Sequence, residues 1–326
     1  MDVSVIIVNY RTPDLVIDCV NSIYEMTTGI DYEIIVVDNN SGDDSINVLN
    51  TKLSDKICLI EADTNLGFGK ANNLGIQHST GKYVFLLNSD TILINNAIKI
   101  LYEYMELHAE VGVAGGNLYS KELKENASFC MKFDDIDSIR AQASWFRIFF
   151  DIIGRRFRQR FYSENKLRQY FYRDTFNHTN KPLEVAYIFG TDMMILRSLF
   201  NRIGGFDPDF FMYAEEEELS WRIHKEDFKI VCIPDAKIIH LDGGTFKKDE
   251  SFNSRQFGMR LNGAMVYYTK RFGIVGADQF YHYKMLRLKR QQKLAKLLKR
   301  RMMLELSEIQ MKCLQEQYQL FKKADE

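Results

Sequence analysis

The chain has 326 residues, 46% of them hydrophobic and 27% charged, with a formal net charge of −1. That length suits one large domain or two, and with 4 prolines and 19 glycines it leaves little room for a long disordered segment. The near balance of charge excludes a globally basic nucleic-acid binder, although local charge blocks remain.

Five cysteines (Cys19, Cys58, Cys130, Cys232, Cys313) are scattered, odd in number and mostly inside apolar runs. They predict a reduced compartment, without a disulfide frame or zinc spacing. The opening MDVSVIIVNY lacks a basic leader and reads as a first strand. No run approaches the roughly 18 apolar residues of a spanning helix. The expectation is a cytoplasmic protein.

The first half alternates strand and helix. VSVIIV (3–8) is an unbroken apolar run, as in a strand buried on both faces. Pro13 and Asp14 open a helical pattern that puts Val16, Cys19, Val20 and Ile23 on one side. EIIVVD (33–38) is the second predicted strand, and Asp43 begins another short helix. KICLIEAD (56–63) is the third, followed by a loop and helix in GFGKANNLGIQHS. KYVFLLNSD (82–90) is the fourth, and Ile94, Ile98, Leu101 and Met105 mark the helix after it. Such alternation predicts an α/β fold with a doubly wound, mostly parallel sheet.

Asp38, Asp63 and Asp90 each fall at the carboxyl end of a different predicted strand, the edge where open α/β sheets bind ligands. Asp14 and Asp43 are better read as helix caps. NYRTPD follows the first strand, where a dinucleotide fold would carry G-x-G-x-x-G, and a P-loop is also missing. A Rossmann dehydrogenase is thereby disfavoured.

Further along, WFRIFFDIIGRRFRQRFYSENKLRQYFYR (145–173) interleaves aromatics with eight Arg or Lys against Asp151 and Glu164. It could bind RNA, pack on the core, or lie on an anionic membrane. FMYAEEEELSWRI (211–223) sets four glutamates in a row. On a helix of 100° per residue, Glu216 falls beside Leu219 and Ile223, Glu215 and Glu218 flank Arg222, and Glu217 points to solvent. Acids in a first helical turn gain roughly 0.3–1 kcal/mol each from the helix dipole, so a structural explanation is available. The apolar FFMYA before them argues instead for a site. Lys284 to Arg301 carries nine basic residues and no acid, which favours membrane contact over nucleic acid. Leu298, Met302, Leu306, Ile309, Cys313 and Leu320 recur at near-heptad spacing, fit for a homo-oligomer contact or for packing back on the core.

Taken together, VSVIIVNY, VVDNNSGDDS, NLGFGKANNLGI, FLLNSD, GGFDPDFFMYAEEEELSWR and IPDAKIIH resemble, in this order, the signature of family 2 glycosyltransferases, in the rhamnosyltransferase-like branch that builds bacterial surface polysaccharides. The resemblance covers most of residues 3 to 246. It implies a GT-A catalytic domain over 1–275, with a nucleotide-sugar half (1–115) and an acceptor half (116–275) carrying the basic insertion 140–180. A helical tail, 276–326, would follow. The implied reaction moves a sugar, rhamnose being the analogy's choice, from a dTDP- or UDP-sugar to a glycan or polyprenyl-diphosphate-linked acceptor at the inner face of the plasma membrane.

By that resemblance Tyr10, Arg11, Asp38, Asp63, Asn65, Lys70, Asn88 and Asp90 line the donor pocket. NSD (88–90) stands where the family keeps D-x-D, so Asn88 replaces the first aspartate and Asp90 alone supplies the carboxylate. With His240 it would hold Mg2+ or Mn2+. Glu216 takes the catalytic-base position, usually aspartate, with Glu215 and Glu218 in support, and burial is expected to raise its pKa. Asp192 and Trp221 would meet the acceptor. Two other functions remain to be weighed. A nucleotidyltransferase should carry a glycine-rich, basic loop after the first strand. A non-catalytic module would bind nucleotide sugar or membrane without turnover.

Overall fold

The structure is a computed structural model that describes residues 1–153, 175–241 and 253–325. The chain groups into two compact units, one drawn from 1–133, 174–211 and 215–248, the other from 134–173, 212–214 and 249–326.

The first unit is built on a sheet. In chain order it runs β1 (Val3–Asn9), α1 (Pro13–Met26), β2 (Tyr32–Asp38), α2 (Ser45–Leu53), β3 (Cys58–Glu61), α3 (Phe68–Gln77), β4 (Tyr83–Leu87), β5 (Thr91–Leu93), α4 (Ala97–Leu107), β6 (Val111–Tyr119) and β7 (Phe129–Cys130). Two helices of the second unit, α5 (Ile136–Gln142) and α6 (Trp145–Ile153), intervene. The sheet unit resumes with β8 (Leu183–Glu184), β9 (Tyr187–Ile188), β10 (Asp192–Leu196), α7 (Arg197–Ile203), α8 (Glu215–Lys225) and β11 (Lys229–His240).

Strands lie side by side as β3-β2-β1-β4-β10-β6-β11-β5, with β8 added on β11 and β7 paired to β9. β1 runs parallel to both β2 and β4, β2 to β3, and β6 to β11, whereas β10 and β5 are antiparallel to their neighbours. The period of two along β1 explains its unbroken apolar run. Val3, Val5 and Ile7 enter the core under one face, and Ile6 enters the core under the other. Each such side chain contributes about 1.5–3 kcal/mol when fully buried.

The third strand is shorter than its sequence suggests. It spans Cys58–Glu61 and forms an outer edge of the sheet, with both of these residues exposed, so Asp63 sits beyond it in an exposed loop. The fourth ends at Leu87, and 88–90 form a turn into β5.

The second unit is helical. It contains α5, α6, α9 (Ser254–Phe272), α10 (Ile274–Leu297) and α11 (Arg301–Asp325). The helix 254–272, which the sequence reading placed in the catalytic domain, groups with these helices. The basic stretch that begins on α10 at Lys284 is not uniformly outward. Arg287 bonds Gln142 (3.0 Å) and Asp151 (3.2 Å), and Arg290 donates to the Ala143 carbonyl (2.6 Å) and lies over the Trp145 ring. Burial, with Arg287 nearby, pushes the Lys284 ammonium down to about 8. Three of the nine cations thus serve packing within this unit. The part of the 145–173 segment after residue 153 lies outside the described residues. Among the described residues no helix is long and apolar enough to cross a membrane.

Candidate active site

Asp38 ends β2 with its carboxylate buried. Asn9, its register partner at the end of β1, donates Nδ2 to Oδ2 (2.7 Å). Ser41 donates its hydroxyl to the same oxygen (2.6 Å) and its backbone N–H to Oδ1 (3.0 Å). Asp38 therefore shapes the loop after β2. Arg11, at φ +60°, ties into that loop through its N–H to Ser41 Oγ (2.9 Å) and its Nε to the Ser41 carbonyl (2.7 Å). Its guanidinium lies 5.2 Å from the centre of the Tyr10 ring. An exposed cation stacked on a partly open ring beside a rim loop is a surface on which a nucleobase can lie.

The next rim loop carries Asp63 and Asn65 and leads into α3, which carries Lys70. The Asp63 carbonyl accepts from Asn40 (2.6 Å), and Asn65 Oδ1 accepts from Asn39 Nδ2 (3.2 Å) and Gly67 N–H (3.0 Å). Lys70 is half-buried in the first turn of α3. Gly67 has φ +79°, and a Cβ there would run into the carbonyl oxygen of Phe211, which accepts the Phe68 N–H at 3.0 Å. Only glycine meets both demands.

The turn after β4 is joined to the first rim. Asn9 Oδ1 accepts from Thr12 N–H (3.1 Å) and from its hydroxyl (3.2 Å), and Thr12 Oγ1 lies 3.3 Å from Ser89 Oγ. A hydrogen-bonded path therefore runs from Asp38 to the NSD turn. At its far end Asp90 Oδ1 lies 3.3 Å from His240 Nε2 at the end of β11. β5 and β11 pair Thr91 with His240, which sets the two side chains together. One carboxylate and one imidazole leave most of a divalent ion's coordination shell to phosphate oxygens and water. That shortfall suits Mg2+ or Mn2+ in a site completed by substrate, with the imidazole favouring manganese. Among the described residues no cluster of three or more His, Cys, Asp or Glu could hold a metal by itself.

Four glutamates open α8, and their environments differ. Glu215, Glu217 and Glu218 are buried and Glu216 is half-buried. Glu218 takes both bonds of the Arg222 fork (Nε–Oε1 and Nη2–Oε2, each 2.7 Å), while Arg222 also reaches the carbonyls of Ile203 (2.8 Å) and Gly205 (2.7 Å). The expected second partner, Glu215, does not join. It is enclosed, its Oε2 has no hydrogen-bond partner, and desolvation followed by the charge of Glu216 holds its pKa well above the usual range. Nor does Glu217 face solvent as the helical wheel implied. α8 packs on β9, where burial and then the Glu217 charge keep the Tyr187 hydroxyl from ionising. Two-residue strands such as β9 leave almost no periodic signal, so this cover was not legible. Glu216 remains the most open of the four.

Glu216 also connects to the turn that carries Asp90. A Cβ built on Gly190 would lie 3.9 Å from Glu216 Cβ and 3.1 Å from the Phe68 ring. The neighbouring Thr191 carbonyl accepts the Asn88 N–H at 2.9 Å. Asp192 turns inward instead. It is fully buried, Oδ2 accepts from Gly116 N–H (2.6 Å), Oδ1 has no partner, and burial holds its pKa well above normal. It offers nothing to an acceptor in this arrangement. Trp221 is half-buried, one turn beyond Glu217 on α8.

Sequence reasoning missed Asn9, Thr12 and Ser41, which hold the rim together. Their signal was faint: small polar residues at a strand end or three places past one, indistinguishable from ordinary loop composition.

Comparison with known proteins gives a consistent picture. Residues 4–204 match the model of Glycosyl transferase family 2. The low-salt glycan biosynthesis hexosyltransferase Agl10 of Haloferax volcanii is 26% identical over 234 residues, 70% of this chain and 64% of that protein. The glycosyltransferase GlyG of Streptococcus pneumoniae is 28% identical over 120 residues, 36% of this chain and 39% of that protein. Both matches span less than two thirds of the relative's own length. In fold the chain is similar to the mannosyltransferase PcManGT of Pyrobaculum calidifontis, solved with GDP-Man and Mn2+. There the TM-score is 0.57 and identity 15%, over 97% of this chain and 85% of the other.

Proposed function

The chain belongs to glycosyl transferase family 2, and from that premise we propose that it transfers a hexose from a nucleoside diphosphate to a hydroxyl of a lipid-linked or polysaccharide acceptor, inverting the anomeric centre. The observation that supports this reading best is the half-open Glu216 lying against Gly190, whose neighbour Thr191 anchors the turn that carries Asp90. Proton acceptor and diphosphate-holding groups then work on one rim. Tyr10 and Arg11 would bind the base, and Asn65 and Lys70 the ribose and phosphates. Asp90 and His240 would hold a divalent cation, which when bound supplies Lewis-acid neutralisation of the leaving diphosphate.

In the reaction the acceptor hydroxyl gives its proton to the Glu216 carboxylate. Its oxygen bonds to the anomeric carbon from the face opposite the diphosphate. The bond from that carbon to the phosphate oxygen breaks, and the nucleoside diphosphate leaves with the electron pair. A sugar nucleotide already carries a good leaving group, so one base is enough. Glu218 acts at a distance, by fixing α8 through Arg222.

The test uses radiolabelled sugar nucleotides, beginning with dTDP-rhamnose and UDP-hexoses, with and without Mn2+. Label moved to acceptor supports the proposal, whereas released pyrophosphate would favour a nucleotidyltransferase. Glu216→Gln should lower turnover roughly 10²–10⁴-fold, the usual contribution of a general base, with donor affinity retained. Turnover equal to the parent's would remove Glu216 from the mechanism. Stabilisation by UDP or dTDP that needs Mn2+, and that disappears in Asp90→Asn, would support the assignment of the cation to Asp90 and His240.

A further inference from the structure

Within the helical unit, α10 and α11 meet at residues 297–301, and the side chains there are the reverse of a buried turn. Leu297 is 77% exposed and Met302 85%, with Leu298 also exposed. Lys296, Lys299, Arg300 and Arg301 are all exposed around them, Arg301 with its Nε donating to Glu305 at 2.8 Å. Upstream on α10, Lys289 and Lys293 are exposed too, and with Lys296 they recur at spacings of four and three, which places them on one helical face. Beside the tip lies α6, because Ile148 packs against Leu294 and Met303, one on each side of the turn. α6 exposes Trp145, Phe146 and Phe149.

We propose that this tip is a docking surface for an anionic phospholipid bilayer, with Leu297, Leu298 and Met302 entering the interfacial layer and the surrounding cations meeting the phosphates. Exposed apolar side chains scattered singly are ordinary, whereas several grouped together and rimmed by polar residues mark a protein or membrane contact. A collar of cations selects an anionic partner, and it is a lipid leaflet that offers hydrocarbon directly beneath a layer of phosphates. Long Lys and Arg stems can lie along hydrocarbon while their charged ends reach the headgroups. The contact is peripheral, formed by a helical turn and an aromatic helix. It differs from a uniformly basic tail in that Arg287 and Arg290 are spent on packing. It does not depend on the glycosyl-transfer reading.

The test is sedimentation of the full chain with vesicles of phosphatidylcholine, alone or mixed with phosphatidylglycerol. The parent should sediment with the mixed vesicles and stay in solution with the neutral ones. Lys296→Glu with Lys299→Glu should reduce binding roughly ten-fold or more, the scale expected when two surface cations are reversed. Leu297→Ser with Met302→Ser, which leaves the charge unchanged, should also weaken it. Equal sedimentation with neutral vesicles, or undiminished binding in either variant, would overturn the proposal. So would a parent that ignores vesicles but dimerises through the tip, or one that binds only RNA. Transfer to a water-soluble acceptor should be the same in all three proteins, so failure of lipid binding is separable from failure of catalysis.

Discussion

Glu215 is shut away from water and faces the charge of Glu216, and both push its pKa above the ordinary 4.5. An unfolded chain ionises this group near that value while the folded one keeps the proton, so stability is lost as pH rises from there toward the folded value. Each pH unit in that window costs about 1.4 kcal/mol. Glu215→Gln keeps the shape and removes the titration. It should melt above the parent at neutral pH, with the gap closing as pH falls through 4.5. Thermal melts of the two proteins across pH check this, and a gap that widens in acid would contradict it. Asp192 acts in the same sense, so the comparison must be between variant and parent. Sequence alone identified α8 as the place where carboxylates gather. It could not sort them, because a helical wheel assumes one buried side, and here burial takes Glu215, Glu217 and Glu218 and leaves Glu216 half-open.

At the scale of the element, two contacts hold the rim. Gly67 lets α3 start against the Phe211 carbonyl. Gly67→Ala must shift that contact and also adopt a left-handed φ, a strain of order 1–3 kcal/mol. We expect a lower melting temperature together with weaker donor binding, both measurable by thermal shift with and without UDP. Arg222 joins α8 to the turn after α7 through the Ile203 and Gly205 carbonyls while pairing with Glu218. Arg222→Met leaves a buried carboxylate without its counter-ion, which costs about 3–5 kcal/mol. Glu218→Gln with Arg222→Met should recover part of that loss, as a double-mutant cycle in urea would show. Strong periodic elements such as β1 and α1 were readable from the chain because their apolar spacing is long enough to fix a face. β3, β7, β8 and β9 were mis-measured or missed, since two to four residues carry almost no period.

For the molecule as a whole, the strand–helix alternation made the sheet legible, while the grouping of 254–272 with the later helices was not. That assignment depends on side chains far apart in sequence. Tyr267 donates to the Asp134 carbonyl at 3.1 Å, and Arg271 to the same carbonyl at 2.6 Å. No local pattern announces such partners. The chain has two tryptophans, with Trp145 on α6 in the helical unit and Trp221 on α8 in the sheet unit. Conservative replacement of either by phenylalanine leaves a reporter for the other unit. Large apolar cores cover both faces of the sheet, whereas many large apolar side chains of the helical unit are open to water. The urea midpoint read from Trp145 should therefore fall below that read from Trp221, and coincident midpoints would refute the expectation.

The hydroxyl of Thr12 stands between Asn9 on one side and Ser89 on the other. It joins the loop after β1 to the turn after β4, making one hydrogen-bonded arch of the two segments. A donor gripped only by its base would settle one footing of the arch and, through it, the other. Removing that keystone with Thr12→Val should leave nucleoside and pyrophosphate each bound nearly as before, yet cost the intact donor more than the two separate losses combined.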